Sequence, residues 1–213
     1  MKFFIDTASV EEVRRAAALG VADGVTTNPT LLAKESGKPE EIYKEICKVV
    51  DGPVCAEAVS LESGDIVKEG RELAAIDEKI VIKIPATREG IVAVKILEAE
   101  SIRTNVTLIF SPMQALLAAR AGASFVCPFV GRLDDASHEG MQLIAEILQM
   151  YQNYDLKTEI IVASIRSVLH VKECAMLGAH IATIPLGVIE KLIKHPLTDR
   201  GVESFLKDWQ KIG

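Results

Sequence analysis

The sequence has no excess of basic residues. Its 213 residues include 24 lysines and arginines against 30 aspartates and glutamates, a formal net charge of -6. Proteins that bind nucleic acid need a basic face that displaces the counterions of the phosphate backbone. The charge balance therefore argues against a nucleic-acid partner, and any anionic ligand has to be held by a few local arginines.

Membrane and disulfide signals are also missing. The opening MKFFIDTASV reaches Asp6 after only three consecutive apolar residues, which is too few for the core of a signal peptide. No apolar run approaches the roughly 18 residues of a membrane span. Cys47, Cys55, Cys127 and Cys174 form no CxxC pair and no zinc spacing, so we expect reduced thiols. These absences predict a soluble, cytoplasmic protein with no membrane partner.

Cofactor fingerprints are absent as well. No GxGxxG follows the first apolar run, there is no P-loop, and no HExxH pattern occurs. The histidines are scattered along the chain, at His138, His170, His180 and His195, and we expect them to be surface or capping residues. The sequence therefore predicts neither a metal site nor a cofactor.

Short apolar, β-branched runs alternate eight times with segments of helical periodicity. The runs are KFFID, GVTTN, PVCAEAV, IVIKIP, RTNVTLIF, SFVCPFVG, EIIVAS and HIATIP. Continuous apolar strands are typical of parallel sheets, which are buried on both faces. The pattern predicts an α/β fold, a single (β/α)8 TIM barrel domain over residues 1–213, with an open doubly wound sheet as the alternative.

The end of the chain, HPLTDRGVESFLKDWQKIG, predicts one more amphipathic helix over residues 198–212. Its apolar stripe consists of Val202, Phe205, Leu206 and Trp209. Such a stripe usually packs on its own barrel, and a neighbouring subunit is the alternative partner, because exposed aromatic stripes often mark interfaces.

Polar, charged or aromatic residues follow or end seven of the eight predicted strands. In a barrel the C-terminal ends of the strands meet at one rim, where active sites lie. These candidate site residues are Asp6, Asn28, Glu57, Lys83, Asn105, Thr107, Phe129, Arg132, Ser164 and Arg166.

Each candidate also has a simpler interpretation. Asp6 fits a helix N-cap, Asn28 before a proline fits a turn, and Thr107 fits a β-branched strand residue. Arg132 and Arg166 fit solvated loop arginines. Taken together, however, the simpler interpretations require seven coincidences at one rim.

Lys83 is the hardest residue to explain structurally, because it stands within the apolar strand IVIKIP and a closed barrel has no edge strands. Loss of hydration is expected to lower the pKa of its amine, which can then attack a carbonyl and form a Schiff base. Glu57 and Thr107 would relay the protons that expel water, and Asp6 would take a proton from a substrate hydroxyl.

The motifs FIDTA, VTTNPTL, VIKIP, TNVTLIFS, PFVGR and ASIR, in this order, resemble the transaldolase family, in particular its short microbial branch. The resemblance implies a barrel of the class I aldolase type that needs no cofactor. Such an enzyme transfers a dihydroxyacetone unit from sedoheptulose 7-phosphate or fructose 6-phosphate to glyceraldehyde 3-phosphate or erythrose 4-phosphate, in the non-oxidative pentose phosphate pathway. The resemblance also implies a ring-shaped homo-oligomer, a pentamer or decamer, in which the final helix reaches a neighbouring subunit.

The same resemblance assigns the other roles. Lys83 matches the Schiff-base lysine, with Asp6, Glu57 and Thr107 as the proton-transfer residues. Asn28 and Asn105 match residues that bind the dihydroxyacetone fragment. The phosphate clamp matches Arg132, Ser164 and Arg166.

Two positions bear on the choice between transfer and free aldol cleavage. The related fructose-6-phosphate aldolases resemble this chain but carry glutamine in place of Glu57 and tyrosine in place of Phe129. Phenylalanine has no hydroxyl to protonate the bound carbanion, so both positions favour transfer. Cys127 departs from the serine of longer transaldolases, which removes a good hydrogen-bonding hydroxyl. A non-catalytic barrel that binds sugar phosphates, in which Lys83 only pairs with the anion, is the third alternative.

Overall fold

Eight parallel strands close into a barrel in the computed structural model, which describes residues 1–212. The strands stand in chain order, and the first pairs with the eighth. They are β1 (Lys2–Asp6), β2 (Gly24–Thr26), β3 (Val54–Glu57), β4 (Ile80–Pro85), β5 (Thr104–Ile109), β6 (Phe125–Pro128), β7 (Glu159–Val162) and β8 (Ile181–Ile184). The predicted (β/α)8 TIM barrel is confirmed, and the open doubly wound sheet is excluded.

Helices connect the strands on the outside of the barrel. They are α1 (Val10–Ala18), α2 (Pro29–Leu32), α3 (Pro39–Val49), α4 (Ser63–Ala74), α5 (Arg88–Ala99), α6 (Pro112–Arg120), α7 (Val130–Asp135), α8 (Gly140–Asn153), α9 (Val168–Leu177), α10 (Leu186–Ile193) and α11 (Pro196–Trp209). Side chains of serine or threonine cap four of them, since each accepts the backbone N–H three residues ahead. Among residues 1–212, none of the helices has the length and apolar content needed to cross a bilayer.

The two faces of the strands bury two separate apolar layers. The inward face fills the barrel with Phe4, Cys55, Val81, Phe125, Cys127, Phe129, Ile161, Ala163 and Ile181. The outward face packs under the helices and forms a larger cluster. Burial of one such side chain contributes about 1.5–3 kcal/mol, so both layers favour the closed barrel. This double burial explains why the strands read as continuous apolar runs.

Glycine at position 24 is needed for the closed floor of the barrel. A Cβ atom there would lie 2.6 Å from the ring of Phe4 and 2.7 Å from the backbone oxygen of Pro53. Gly24 thus lets the Phe4 ring fill the interior of the barrel.

The C-terminal helix differs from its predicted form in its bounds and its packing. It begins at Pro196, behind the capping residue His195, and ends at Trp209, whereas residues 198–212 were predicted. A proline at the first helical position is favoured there, which explains the earlier start. No residue of α11 is buried, and Phe205 and Trp209 are 76% and 73% exposed. The expectation that its apolar stripe packs on its own barrel is therefore wrong.

Candidate active site

Lys83 and Glu57 form a buried ion pair at the C-terminal rim. The register of β3 and β4 places the two residues side by side, and Lys83 Nζ lies 2.9 Å from Glu57 Oε2. The ammonium also donates a hydrogen bond of 2.9 Å to the backbone oxygen of Thr27. Only 3% of the lysine side chain and 12% of the glutamate side chain are exposed. The partners compensate each other for the lost hydration.

The pKa of Lys83 is raised, so the predicted fall is wrong. Burial acts to lower the pKa of the amine, but the nearby carboxyl groups of Glu57 and Asp6 outweigh it. The predicted fall took account only of the loss of water, whereas the register of the strands adds acidic neighbours. The resting amine is therefore an ammonium, and it must pass a proton to a base before it can attack a carbonyl.

Asp6, at the end of β1, is partly buried, unlike an ordinary surface aspartate. Burial raises its pKa, against the lowering influence of Lys83 and of the hydrogen bond from Thr26. Thr26 Oγ1 donates to Asp6 Oδ1 at 3.1 Å and lies 2.6 Å from Thr183 Oγ1. Since the single proton of Thr26 goes to Asp6, the Thr183 hydroxyl donates to Thr26. The carboxyl of Asp6 is thus oriented by a chain of two hydroxyls.

Two buried polar atoms of β5 have no partner within residues 1–212: Asn105 Oδ1 and Thr107 Oγ1. Buried polar atoms are rarely left unpaired, so both are available to a bound molecule. Asn105 is the register partner of Lys83, and Thr107 is that of Pro85. The Asn105 amide nitrogen donates to Cys55 Sγ at 3.4 Å, which turns the amide oxygen away from that contact. The structure thus places Asn105 beside the lysine and Thr107 two residues further along the neighbouring strand.

An irregularity in β5 supplies a further rim residue that the sequence did not reveal. The pairing with β6 shifts between Val106 and Ile109, and Leu108 adopts a φ of 56°. Leu108 packs with the apolar cluster inside the barrel. A β-bulge of this kind commonly re-aims a side chain beside an active site. Leu108 therefore adds an apolar wall at the rim above the buried column.

Asn28 fills the turn role and keeps a free amide group. Its Oδ1 accepts the backbone N–H of Leu31 at 2.9 Å and caps α2. This fixes the orientation of the side chain and leaves its Nδ2 group as the donor for a ligand. The simpler interpretation of Asn28 and the predicted substrate contact are compatible.

Phe129 supports one of the predicted clamp arginines. The guanidinium carbon of Arg132 lies 4.9 Å from the centroid of the Phe129 ring, a cation–π contact. Phe110 meets the same ring edge-on at 5.8 Å between centroids. The aromatic residue that the sequence singled out for its missing hydroxyl thus also positions a cation at the rim.

The loop after β7 packs closely on the segment that carries Arg132. A Cβ atom at Gly131 would lie 2.2 Å from the backbone oxygen of Ser164 and 2.9 Å from Arg166 Cγ. Ser164 itself adopts a φ of 61°, an uncommon conformation that often marks functional sites. Glycine at position 131 is therefore required for the close approach, which brings Ser164 and Arg166 next to Arg132.

The four cysteines are free, and two of them line the interior of the barrel. Burial raises the pKa of Cys127 to about 12 and that of Cys55 to about 11, so both thiols are neutral near pH 7. Among residues 1–212 there is no group of three or more His, Cys, Asp or Glu side chains arranged to hold a metal ion.

Comparison with known proteins matches the sequence to one family. A sequence model of the family described as transaldolase/fructose-6-phosphate aldolase matches residues 3–213. The chain belongs to this family.

Members of the transaldolase/fructose-6-phosphate aldolase family with similar sequences come from distant microbes. A probable transaldolase of Thermodesulfovibrio yellowstonii is 62% identical over 212 residues, covering 100% of this chain and 99% of that protein. One of Desulfosudis oleivorans is 60% identical over 211 residues, 99% of each chain. One of Aquifex aeolicus is 60% identical over 213 residues, 100% of this chain and 98% of that protein. The chain is an enzyme of the transaldolase or aldolase type.

Two residues around the rim site were not identified from the sequence. Thr183 was overlooked because a threonine in an apolar strand is an ordinary β-branched residue. Asp135 holds the Arg166 guanidinium through Nη1 at 2.9 Å and Nη2 at 2.5 Å. That contact joins the loops after β6 and β7, so it depends on closure of the barrel. No local signal in the sequence could have predicted it.

Proposed function

We propose that the protein is a transaldolase. It transfers a dihydroxyacetone unit from sedoheptulose 7-phosphate or fructose 6-phosphate to glyceraldehyde 3-phosphate or erythrose 4-phosphate, in the cytoplasm and within the non-oxidative pentose phosphate pathway. The carbon chain is carried as a Schiff base on Lys83. The observation that supports this most directly is the buried amine of Lys83, 2.9 Å from the carboxylate of Glu57.

The first step is formation of the Schiff base. One ammonium proton passes to Glu57, and the neutral amine of Lys83 adds to the ketose carbonyl. A second amine proton neutralises the developing alkoxide and gives a carbinolamine. Glu57 then returns its proton to that hydroxyl, which leaves as water while an iminium forms. The hydroxyl of Thr107 holds this water, because it is buried without a hydrogen-bond partner on the strand that pairs with β4.

The second step is cleavage of the carbon–carbon bond. Asp6 takes the proton of the hydroxyl next to that bond, the aldose leaves as an aldehyde, and the bonding electrons move to the iminium to give an enamine. The raised pKa of Asp6 makes it a stronger base than an ordinary aspartate. Transfer to the acceptor aldehyde reverses these movements, and Asp6 returns the proton to the new hydroxyl.

Substrate binding uses the remaining rim residues. The free amide group of Asn28 and the unpaired oxygen of Asn105 face hydroxyls of the dihydroxyacetone fragment. Arg132, Ser164 and Arg166 hold the phosphate at the far end of the donor, since guanidinium groups bind phosphate through paired hydrogen bonds. Two arginines suffice for such a ligand although the chain is acidic overall.

Retention of the enamine distinguishes transfer from free aldol cleavage. Phe129 presents no hydroxyl to the reacting carbon and its ring is occupied by Arg132 and Phe110. The enamine therefore has no nearby acid at this position and persists until an acceptor arrives. Release of free dihydroxyacetone, the reaction of an aldolase, is the competing outcome.

The proposed enzyme works as a ring-shaped homo-oligomer, a pentamer or a decamer. The exposed stripe on α11, with Phe205 and Trp209 more than 70% exposed, supplies an apolar surface that a neighbouring barrel can cover.

The reaction itself is tested by measuring glyceraldehyde 3-phosphate formed from fructose 6-phosphate, with and without erythrose 4-phosphate. A transaldolase accumulates product beyond one enzyme equivalent only with the acceptor, and forms sedoheptulose 7-phosphate in step. Equal product without the acceptor identifies an aldolase. Covalent labelling by borohydride in the presence of fructose 6-phosphate separates both enzymes from a barrel that only binds sugar phosphates, since such a barrel gives no adduct.

A further inference from the structure

Arg166 is linked to two adjacent aspartates of α7, directly at its guanidinium and through His170 at its main chain. Its guanidinium pairs with Asp135. Its backbone N–H donates to His170 Nδ1 at 3.2 Å, and His170 Nε2 lies 2.9 Å from Asp134 Oδ2. A histidine on α9 therefore links the main chain of the arginine to the end of α7. From the sequence alone, this histidine was expected to be a surface or capping residue.

The hydrogen bonds define the form of the imidazole. Nδ1 accepts the Arg166 N–H, so it carries no proton, and the proton stands on Nε2 and faces Asp134. Only 16% of the His170 side chain is exposed, against 51% for that of Arg166. The ring is thus a fixed, largely buried group, and the arginine at its edge is the exposed one.

Asp134 is itself anchored on its other side. Its Oδ1 accepts the backbone N–H of Gly140, the first residue of α8, at 2.9 Å. The backbone N–H of His170 donates to Ser167 Oγ at 3.3 Å, which caps α9. The path from Gly140 through Asp134 and His170 to Arg166 consists of consecutive hydrogen bonds between the starts of two helices. These hydrogen bonds hold the His170 ring and the main chain of Arg166 in fixed positions relative to α8 and α9.

We propose that His170, oriented by Asp134, is a positioning residue that sets the affinity of the site for the phosphate end of its substrates by fixing the main chain at Arg166. The inference rests on the proposed function, in which Arg166 binds that phosphate. The position matters because the stem of Arg166 already lies against Gly131. A small shift of the main chain therefore moves the guanidinium away from its bidentate geometry.

Two substitutions of His170 separate its contacts. His170→Asn keeps an acceptor, Oδ1, at the place of Nδ1, whereas His170→Gln keeps the reach towards Asp134 and loses that acceptor. We expect His170→Gln to raise both KM for fructose 6-phosphate and the inhibition constant of inorganic phosphate about fivefold, because a change of this size corresponds to the loss of one hydrogen bond. His170→Asn should stay within about twofold of the parent enzyme. Neither should change kcat/KM for fructose, which has no phosphate.

Asp134→Asn tests the same path without changing the histidine. Its Oδ1 must face the Gly140 N–H, so its amide nitrogen faces His170 Nε2 and the proton of the ring moves to Nδ1. That form cannot accept the Arg166 N–H. The variant should therefore weaken inhibition by phosphate about as much as His170→Gln. It also replaces the histidine variants if those fail to fold.

A double-mutant cycle with Arg166→Ala decides between positioning and a general structural role. If His170 acts through Arg166, His170→Gln adds nothing further in the Arg166→Ala background. Additive losses, or an equal loss of activity on fructose, overturn the inference. If Arg166→Ala itself leaves the preference for fructose 6-phosphate over fructose unchanged, the proposed phosphate clamp fails. If that preference falls while His170→Gln and Asp134→Asn do nothing, only the positioning role fails.

Discussion

Lys83 and Glu57 are register partners on β4 and β3, and their charged groups meet at 2.9 Å with the ammonium almost fully buried. An isolated charge at this depth would be costly, so each group depends on the other. In the proposed reaction the pair supplies both the nucleophile and the base that activates it. Removal of either group should therefore change both the free energy of unfolding and the covalent labelling by borohydride.

Lys83→Ala should abolish labelling by borohydride and turnover. It also leaves the carboxylate of Glu57 without its partner, and breaking a buried pair typically costs about 3–5 kcal/mol. We expect Lys83→Ala with Glu57→Gln to regain part of the lost free energy of unfolding, because glutamine carries no charge. Urea unfolding of the single and double variants measures this. Labelling that persists in Lys83→Ala, or a double variant no more stable than the single, contradicts the role of the pair.

Asp6→Asn separates catalysis from stability. The asparagine cannot take the substrate proton, so we expect cleavage to slow at least about 100-fold. Burial raises the pKa of Asp6 above its ordinary 3.8, so the folded state favours the protonated carboxyl. As the pH rises through the ordinary value towards the raised one, the wild type loses stability, whereas the variant does not.

The free energy of unfolding of Asp6→Asn should therefore exceed that of the wild type at neutral pH and match it more closely below pH 3.8. The exposed Asp155 offers a control, because Asp155→Asn removes a carboxylate that is 85% exposed. Unfolding curves at the two pH values check the sign. A variant that is less stable than the wild type at neutral pH would show that burial does not dominate at Asp6.

The fold could be predicted from the sequence because eight apolar runs, buried on both faces, alternate with helical segments, and eight such units are typical of a closed barrel. The rim residues could be predicted for the same reason, since the ends of parallel strands meet. The pKa of Lys83 could not, because its direction depends on how close Glu57 and Asp6 come once the barrel forms. The links from Asp134 and Asp135 to the loop after β7 likewise exist only in three dimensions. The early start of α11 was missed although a proline marks it.

Phe129→Tyr should turn part of the transfer into release of free dihydroxyacetone, because the new hydroxyl can protonate the enamine. The neighbouring ring provides a matched control. The ring centroids of Phe110 and Phe129 are 5.8 Å apart, and Phe110 is 38% exposed, so Phe110→Tyr adds the same hydroxyl at a different place on the rim. Dihydroxyacetone and sedoheptulose 7-phosphate are quantified from the same reaction. An unchanged product ratio in Phe129→Tyr, or an equal change in both variants, removes the missing hydroxyl as the cause.

If the oligomer assembles through α11, Trp209→Glu should lower the molecular mass of the assembly in sedimentation experiments. A charge on the apolar stripe would have to be buried against a neighbour, which is strongly unfavourable. Lys207→Glu alters the charge of the same helix away from the stripe, so it should leave the mass unchanged. Identical masses for Trp209→Glu and the parent protein would show that α11 does not hold the oligomer together.

Gly131→Ala tests whether the close approach of two loops organises the phosphate end of the site. The new methyl group would lie 2.2 Å from the Ser164 backbone oxygen, so the loop after β7 must move. We expect a loss of about 1–3 kcal/mol in the free energy of unfolding and weaker inhibition by inorganic phosphate. Gly187, the second residue of α10, has open space around its Cβ position, so Gly187→Ala adds a methyl group without a clash and serves as the control. If Gly131→Ala binds phosphate as tightly as Gly187→Ala does, the contact does not organise the clamp.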